Sequence, residues 1–228
     1  MNNLAVVLSA RMASSRLPGK AMLPLNGIPM IQFIIERLRK SERCKNIILA
    51  TTDRSEDDVL CDLAKSLGIN FFRGDSEDVA GRYVSVSKKF GLEWIVRVTG
   101  DCPFIDGTTL DYCLSQLPPN CEDVLWTTKN IFPVGIDYEL ISCSVLANEW
   151  PQMSVKEKEH VTLRFYRTDL NKKKMFKNFS PPPLWPSISE NFTVDTLEDY
   201  ERASEFVTSL SGTDFSVLNL LKISGALR

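Results

Sequence analysis

Five short apolar runs, at 4–8, 46–50, 70–72, 94–98 and 124–127, are spaced through the first half of the chain, and the stretches between them carry helical periodicity. Most of the runs are continuously apolar instead of alternating, which is the pattern of strands buried on both faces. Such strands are parallel, and parallel neighbours need crossover connections, which the helical stretches supply. The first helix is expected from about residue 29 to 39, with Met30, Phe33, Ile34, Arg37 and Leu38 on one side. The second opens on a capping-box pattern at Ser55 and Asp58, carries Val59, Leu60, Leu63, Ala64 and Leu67, and stops at Gly68. A third runs from near Ser76 to Phe90 and stops at Gly91; a fourth follows Asp106 and ends before Pro118 and Pro119. This rhythm predicts an α/β chain, a Rossmann-like three-layer α/β/α fold around a mostly parallel central sheet.

After about residue 128 the rhythm breaks. Pro133, Gly135, Pro151 and the run Pro181-Pro182-Pro183 point to irregular connections. Helices are expected at 155–170, with Ser154 and Glu157 as a capping box, and at 197–210. The run Lys172-Lys173-Lys174 reads as a solvated turn. A chain of 228 residues suits one α/β domain with a small antiparallel section inside it, not two independent domains.

The loop after the first strand, residues 9–24, reads S-A-R-M-A-S-S-R-L-P-G-K-A-M-L-P. Arg11, Arg16 and Lys20 stand among small residues, and no acid in the loop neutralises them. Small side chains let backbone N–H groups approach a phosphate, and Arg adds bidentate contacts, so the loop is a candidate polyanion cradle. A plain basic surface loop would carry the same residues. It is not a P-loop: Ser14 takes the first Gly position and Ala21 the metal-binding hydroxyl position. A single Gly also excludes the G-x-G-x-x-G dinucleotide fingerprint.

Open α/β sheets bind ligands beyond the carboxyl ends of their strands. Thr99-Gly100-Asp101-Cys102-Pro103 lies at such an end, after the strand at 94–98, where Asp101 is a candidate Mg²⁺ ligand or an ordinary turn residue. Phe192 to Val194 reads as a short strand leading to Asp195, with Thr196 as a helix N-cap and Asp199 three residues on. Asp195 is then either a turn residue or a second metal ligand facing Asp101. His160 is more ordinary as a packed or solvated helix residue than as a catalytic one. Cys102 lacks the company of a nucleophilic thiol and reads as packing.

R-x-x-S-x-R-L-P-G-K after a first strand resembles the sugar-acid cytidylyltransferases, which include the 3-deoxy-manno-octulosonate (KDO) enzymes and the spore-coat-polysaccharide SpsF-like branch. Gly100-Asp101-Cys102-Pro103 and Val194-Asp195-Thr196-Leu197-Glu198-Asp199 match that family's magnesium-binding segments, and Ala50-Thr51-Thr52-Asp53 looks like its second-strand end. The SpsF-like branch is matched more closely, through Arg73-Gly74, Asp78-Val79, Arg97-Val98-Thr99-Gly100, Gly135-Ile136-Asp137 and Glu159-His160-Val161-Thr162. The KDO enzymes carry Gln and Glu where this chain has Thr99 and Cys102, and the region from about 105 to 155 is shorter and does not align.

The resemblance implies a nucleotidyltransferase fold with its nucleotide-binding core at 1–128, an acceptor-covering and dimer section at 129–190, and a returning metal-ligand strand and C-terminal helix at 191–228. It implies CTP as co-substrate and Mg²⁺ as cofactor. Arg11, Arg16, Lys20 and Asp101 would be catalytic, and Asp101 and Asp195 would hold the metal. CTP would touch Ser9, Ala10, Arg11, Ser15, Arg16, Lys20, Arg73, Gly74, Thr99 and Gly100. The acceptor, most simply an ulosonic acid, would meet Arg82, Asp137, Tyr138, Glu139 and His160; carboxylates and phenols suit hydroxyl-rich ligands. A sugar-phosphate or polyol-phosphate acceptor giving a diphosphate conjugate, or a nucleotide-sugar binder or glycosyltransferase-like protein on the same fold, are the alternatives. The family is usually dimeric and serves surface glycan assembly.

Charge and cysteine usage narrow the setting. A net charge of -2 argues against a general nucleic-acid binder. No apolar run approaches the ~18 residues of a membrane span, and the start lacks the basic region of a signal peptide. Six scattered Cys without a C-x-x-C pair, and one His, argue against zinc and disulfides and fit a reducing cytoplasm.

Overall fold

The computed structural model describes residues 3–121, 124–167, 175–183, 185, 190–210 and 215–225. In chain order it runs β1 (Leu4–Ser9), a small hairpin of β2 (Pro24–Leu25) and β3 (Ile28–Pro29), α1 (Met30–Leu38), β4 (Ile47–Thr52), α2 (Asp58–Ser66), β5 (Asn70–Gly74), α3 (Val79–Phe90), β6 (Trp94–Thr99) and α4 (Gly107–Ser115). There follow β7 (Leu125–Thr127), β8 (Glu139–Ser142), α5 (Cys143–Glu149), α6 (Val155–His160), β9 (Phe176–Asn178), α7 (Leu197–Leu210) and α8 (Val217–Ile223).

Seven strands form one sheet in the order β5-β4-β1-β6-β8-β7-β9, and β2 and β3 form a separate antiparallel pair. β1 lies parallel between β4 and β6, with Ser9 opposite both Ala50 and Thr99. The chain adds β4 and β5 on one side of β1 and then returns to place β6 on the other. The order therefore reverses at β1, and a crevice opens between the carboxyl ends of β1 and β6, where such sheets take ligands. β8 runs antiparallel to both β6 and β7.

Strand alternation sorts the core into two layers. Val6, Leu8, Leu49 and Val96 pack with Ile31, Ile34 and Leu38 of α1, Leu110 of α4, Val207 of α7 and Leu220 of α8. Ala5, Val7, Ile48 and Ile95 face the other way, against Ala80, Tyr83 and Val84 of α3, Leu146 of α5, Val161 and Phe165. Each fully buried aliphatic side chain contributes about 1.5–3 kcal/mol, which fixes both helical layers on the sheet. The expected three-layer α/β/α fold is the fold found. Arg37, expected on the apolar side of α1, is 4 % exposed. It donates to the carbonyls of Phe104 and Ile105, which ties α1 to the segment leading into α4.

Several local expectations change. Ser55 forms no capping box; Ser55–Asp57 is a 3₁₀ turn without a side-chain cap, and Asp57 turns inward. Val59 is 39 % exposed instead of packed. The helix expected at 155–170 ends at His160, because Val161 adopts φ 50 and ψ -60, and a 3₁₀ turn, Leu163–Tyr166, follows. The remainder of that helix, 168–170, and Lys172-Lys173-Lys174 lie outside the described residues. Phe192 to Val194 is no strand. It is an extended segment held by bonds from Phe192 N–H to Val134 C=O and from Val194 N–H to Asp101 C=O. β2, β3, β8, β9, α5 and α8 were not expected. The Ser154–Glu157 capping box forms as read, and so does the reciprocal bonding of Thr196 and Asp199 at the start of α7. None of the described helices is long and apolar enough to cross a membrane.

Candidate active site

A cavity of about 360 Å³ fills the crevice at the ends of β1 and β6. Ser9, Ala10, Arg11, Ser14, Ser15, Arg16 and Lys20 of the first loop form one wall, and Thr99, Gly100 and Asp101 the base. Val79 and Arg82 of α3, Glu159 and His160 of α6, and Asp195 complete it. Two glycines make this shape possible. Gly19 has φ 71, the left-handed turn that delivers Lys20. At Gly100 the chain crosses so close to β1 that a Cβ would lie 2.9 Å from Ala10 Cβ and 3.3 Å from the Ser9 carbonyl oxygen.

Lys20 sits at the centre. Its Nζ donates to the Val194 carbonyl at 2.8 Å and to Asp195 Oδ1 at 3.0 Å, and lies 3.6 Å from Asp101 Oδ2. Arg16 reaches Asp195 from the solvent side at 2.9 Å. Loop residues at 16 and 20 thus meet the end of β6 and a segment from the far end of the chain around one point. Burial works against ionisation of Asp101, but the Lys20 ammonium and hydrogen bonds from Thr99 and Cys102 outweigh it and hold the carboxyl below its ordinary range. Burial and the Asp101 charge push the Cys102 thiol up, so it stays a neutral donor.

The base of the loop hangs on Asp57, which is fully buried. Its Oδ1 accepts the Met12 N–H at 2.7 Å; its Oδ2 accepts the Thr52 N–H at 3.1 Å, the Thr51 hydroxyl at 2.9 Å and the Thr52 hydroxyl. Arg82, 3 % exposed, donates to Asp75 C=O and Ser9 Oγ, and among the described residues its Nε has no partner. Among the described residues no carboxylate pairs with Arg82. Arg97, also on the cavity wall, is neutralised by Glu139 at 2.8 Å.

The cavity thus gathers Ser9, Ala10, Arg11, Ser15, Arg16, Lys20, Arg82, Thr99, Gly100, Asp101, His160 and Asp195 from the sequence-derived set. Five others do not line it. Arg73 turns away to the Thr52 and Arg54 carbonyls and to Asp58. Gly74 is closed over by Phe72 and Arg82, which a Cβ there would meet at 3.0 and 3.3 Å. Tyr138, 1 % exposed, spends its hydroxyl on the Asp106 backbone, accepting from N–H at 3.0 Å and donating to C=O. Glu139 is enclosed by Arg97 and Tyr166. Asp137 accepts the Gly135 N–H at 3.0 Å, and burial together with the Glu139 charge raises its carboxyl.

Asp57 was not singled out from the sequence, and Val79, Arg97 and Glu159 entered only as residues that match the SpsF-like branch, with no role in the site. Arg97 had a readable signal, a cation inside an apolar strand run, which implies a buried counter-charge. Asp57 had none, since an acid in S-E-D-D reads as an exposed helix start.

Residues 5–181 match the family model described as cytidylyltransferase. The spore coat polysaccharide biosynthesis protein SpsF of Bacillus subtilis is 30 % identical over 207 residues, covering 88 % of this chain and 85 % of that protein. A 3-deoxy-manno-octulosonate cytidylyltransferase of Geobacter sulfurreducens is 31 % identical over 130 residues, 56 % of this chain and 50 % of that enzyme. The solved structure of a cytidylyltransferase from Leptospira borgpetersenii serovar Hardjo-bovis superposes with a TM-score of 0.89 at 29 % identity, covering 98 % of this chain and 94 % of that one. With most of its length matched in sequence and fold, the chain belongs to the cytidylyltransferase family and is a CTP-dependent nucleotidyltransferase.

Proposed function

We propose that the protein transfers CMP from CTP to a hydroxyl of a sugar acid, releasing pyrophosphate. The observation that carries this reading is the convergence on Lys20 of Asp101 Oδ2, Asp195 Oδ1 and the Val194 carbonyl. One cation already sits among three hard oxygen donors at the switch point of the sheet. That donor set fits Mg²⁺, which takes one or two carboxylates and completes its shell with waters and phosphate oxygens. Among the described residues no three His, Cys, Asp or Glu side chains gather as a metal cage. A site of two carboxylates shared with a triphosphate agrees with that. Asp101 and Asp195 would hold the ion, which when bound polarises the α-phosphate and favours the alkoxide of the acceptor.

The acceptor oxygen attacks the α-phosphorus. The new O–P bond forms as the bond to the bridging oxygen breaks, its electron pair leaves on pyrophosphate, and the hydroxyl proton passes to water. Arg11, Arg16 and Lys20 neutralise the phosphate oxygens as charge builds on them. Lys20 leaves its carboxylates for the phosphates when the nucleotide and its metal arrive. Ser9, Ala10, Thr99 and Gly100 flank the nucleoside. Arg82 is a buried cation without a carboxylate, and the carboxylate of the acceptor is the partner its environment asks for. His160 and Glu159 hydrogen-bond the sugar hydroxyls from the opposite wall. Tyr138, Glu139, Arg73 and Gly74 take no part. The names of the SpsF and 3-deoxy-manno-octulosonate relatives support a surface-glycan sugar acid as the acceptor.

Lys20→Ala tests the assignment. The expected outcome is a loss of about 10²–10³ in kcat/KM, the scale of removing one preorganised charge at a transition state, with an unchanged circular dichroism spectrum. A Lys20→Ala enzyme with full activity would sink it.

A further inference from the structure

Asp78 lies outside the cavity, yet its carboxylate joins the two neighbouring helices, α3 and α6, that line it. It caps α3, with Oδ1 accepting the Gly81 N–H at 2.7 Å. The same carboxylate accepts the Trp150 indole N–H, at 3.1 Å to Oδ1 and 2.9 Å to Oδ2. It also pairs with Lys158 Nζ of α6 at 3.0 Å. The Lys158 ammonium lies over the Trp150 ring, 5.6 Å from its centroid. Gly81 leaves room for this folded-back carboxylate, because a Cβ there would stand 2.8 Å from Asp78 Cγ. One turn along α3 is Arg82, and immediately after Lys158 come Glu159 and His160, all three on the cavity wall.

The geometry points to Asp78 as a positioning residue that fixes the distance between the Arg82 wall and the Glu159–His160 wall, and so sets how the acceptor is held. α6 packs directly on α3 and is held at its start by the Ser154–Glu157 box and by the pairs of Glu157 with Arg164 and Arg167, and the clamp adds a tie to its far half. It is a helix of six residues that stops at the positive φ of Val161, a β-branched residue held there by its own complete burial. A charged clamp shared by α3, the turn at Trp150 and α6 keeps Glu159 and His160 in register with Arg82. Among the described residues no hydrogen bond or ion pair joins Asp78, Trp150 or Lys158 to the first loop; the links between them run through Arg82 to Ser9 Oγ and Arg11 to the Ser76 carbonyl, so the clamp acts on nucleotide binding only at second hand. The inference rests on the proposed assignment of Arg82, Glu159 and His160 to the acceptor.

Asp78→Asn separates clamp from cap. Asn caps a helix about as well as Asp, so α3 stays closed, while the charge facing Lys158 and one of the two oxygens facing Trp150 are lost. Trp150→Phe removes the indole N–H and keeps a ring. The expected result for Asp78→Asn is a KM for the acceptor raised about tenfold, in line with the cost of small misplacements in a reacting site. CTP affinity by calorimetry and melting temperature stay close to wild type. Trp150→Phe moves the acceptor KM in the same direction by less. Unmoved acceptor kinetics in both variants would overturn the inference, and so would equal losses of acceptor and CTP binding accompanied by a lower melting temperature. A wild type that turns over no acceptor brings down the proposed function and this inference together; wild-type turnover with unaffected variants brings down the inference alone.

Discussion

Replacing Asp57 by Asn perturbs the first loop without touching a cavity residue. Asn keeps its Oδ1 for the Met12 N–H, but places an NH₂ where Oδ2 accepts three donors. The Thr51 and Thr52 hydroxyls can rotate to accept from it; the Thr52 N–H cannot and is left facing another donor in a fully buried position. An orphaned buried N–H costs about 1–3 kcal/mol, and loss of charge from the remaining bonds adds about 1 kcal/mol. A loss of about 2–4 kcal/mol lowers the melting temperature by about 4–16 °C for a chain of this length. Thermal unfolding by circular dichroism at neutral pH measures it, and a decrease under about 2 °C would refute the reasoning. The pH dependence is a second check. Burial raises the Asp57 carboxyl, but the bonds from Thr52, Met12 and Thr51 more than offset it, so its folded value lies below the ordinary 3.8. A depressed carboxyl stabilises the fold fully above its unfolded value and loses that contribution as the pH falls through the folded value. The gap between wild type and Asp57→Asn is therefore constant from neutrality down to about pH 4 and closes below it. A gap that widens on acidification contradicts the account.

Tyr138→Phe removes a hydroxyl that serves only the Asp106 backbone. It lowers stability by about 1–3 kcal/mol in denaturant unfolding and leaves the acceptor KM unchanged. Gly100→Ala forces a methyl group to within 2.9 Å of Ala10 Cβ, with the Ser9 carbonyl behind it. It costs about 1–3 kcal/mol of stability and lowers kcat/KM at least tenfold, since the ends of β1 and β6 must part; melting and turnover measured side by side check both.

The sheet was legible because its strands are apolar throughout, and the crevice because strand ends in such sheets collect ligands. Lys20, Asp101 and Asp195 could be set on one site from the sequence alone, although 174 residues separate the hydrogen-bonded pair Lys20 and Val194. β8 was hidden because Glu139, at its start, is a charge buried against Arg97, so the strand shows no clean apolar run. Tyr138 drew attention as a polar group suited to sugars, yet its hydroxyl is consumed by the Asp106 backbone, and Asp137 turns its Oδ1 to the Gly135 N–H. Arg73 stands at a strand end, where position argued for the cavity, but its guanidinium folds back over the Thr52 and Arg54 carbonyls. Side-chain direction at a strand end depends on partners from other segments, and those partners are not written in the local sequence.

The most direct test of the account is pyrophosphate release by the wild-type protein with CTP, ATP, GTP and UTP, with and without Mg²⁺, against ulosonic acids and sugar phosphates, with the product weighed by mass spectrometry. The account predicts release with CTP and Mg²⁺ and a sugar acid, and a product with the mass of that acid joined to CMP. Release with a sugar phosphate alone, giving a CDP conjugate, or release that prefers another nucleotide, would contradict it.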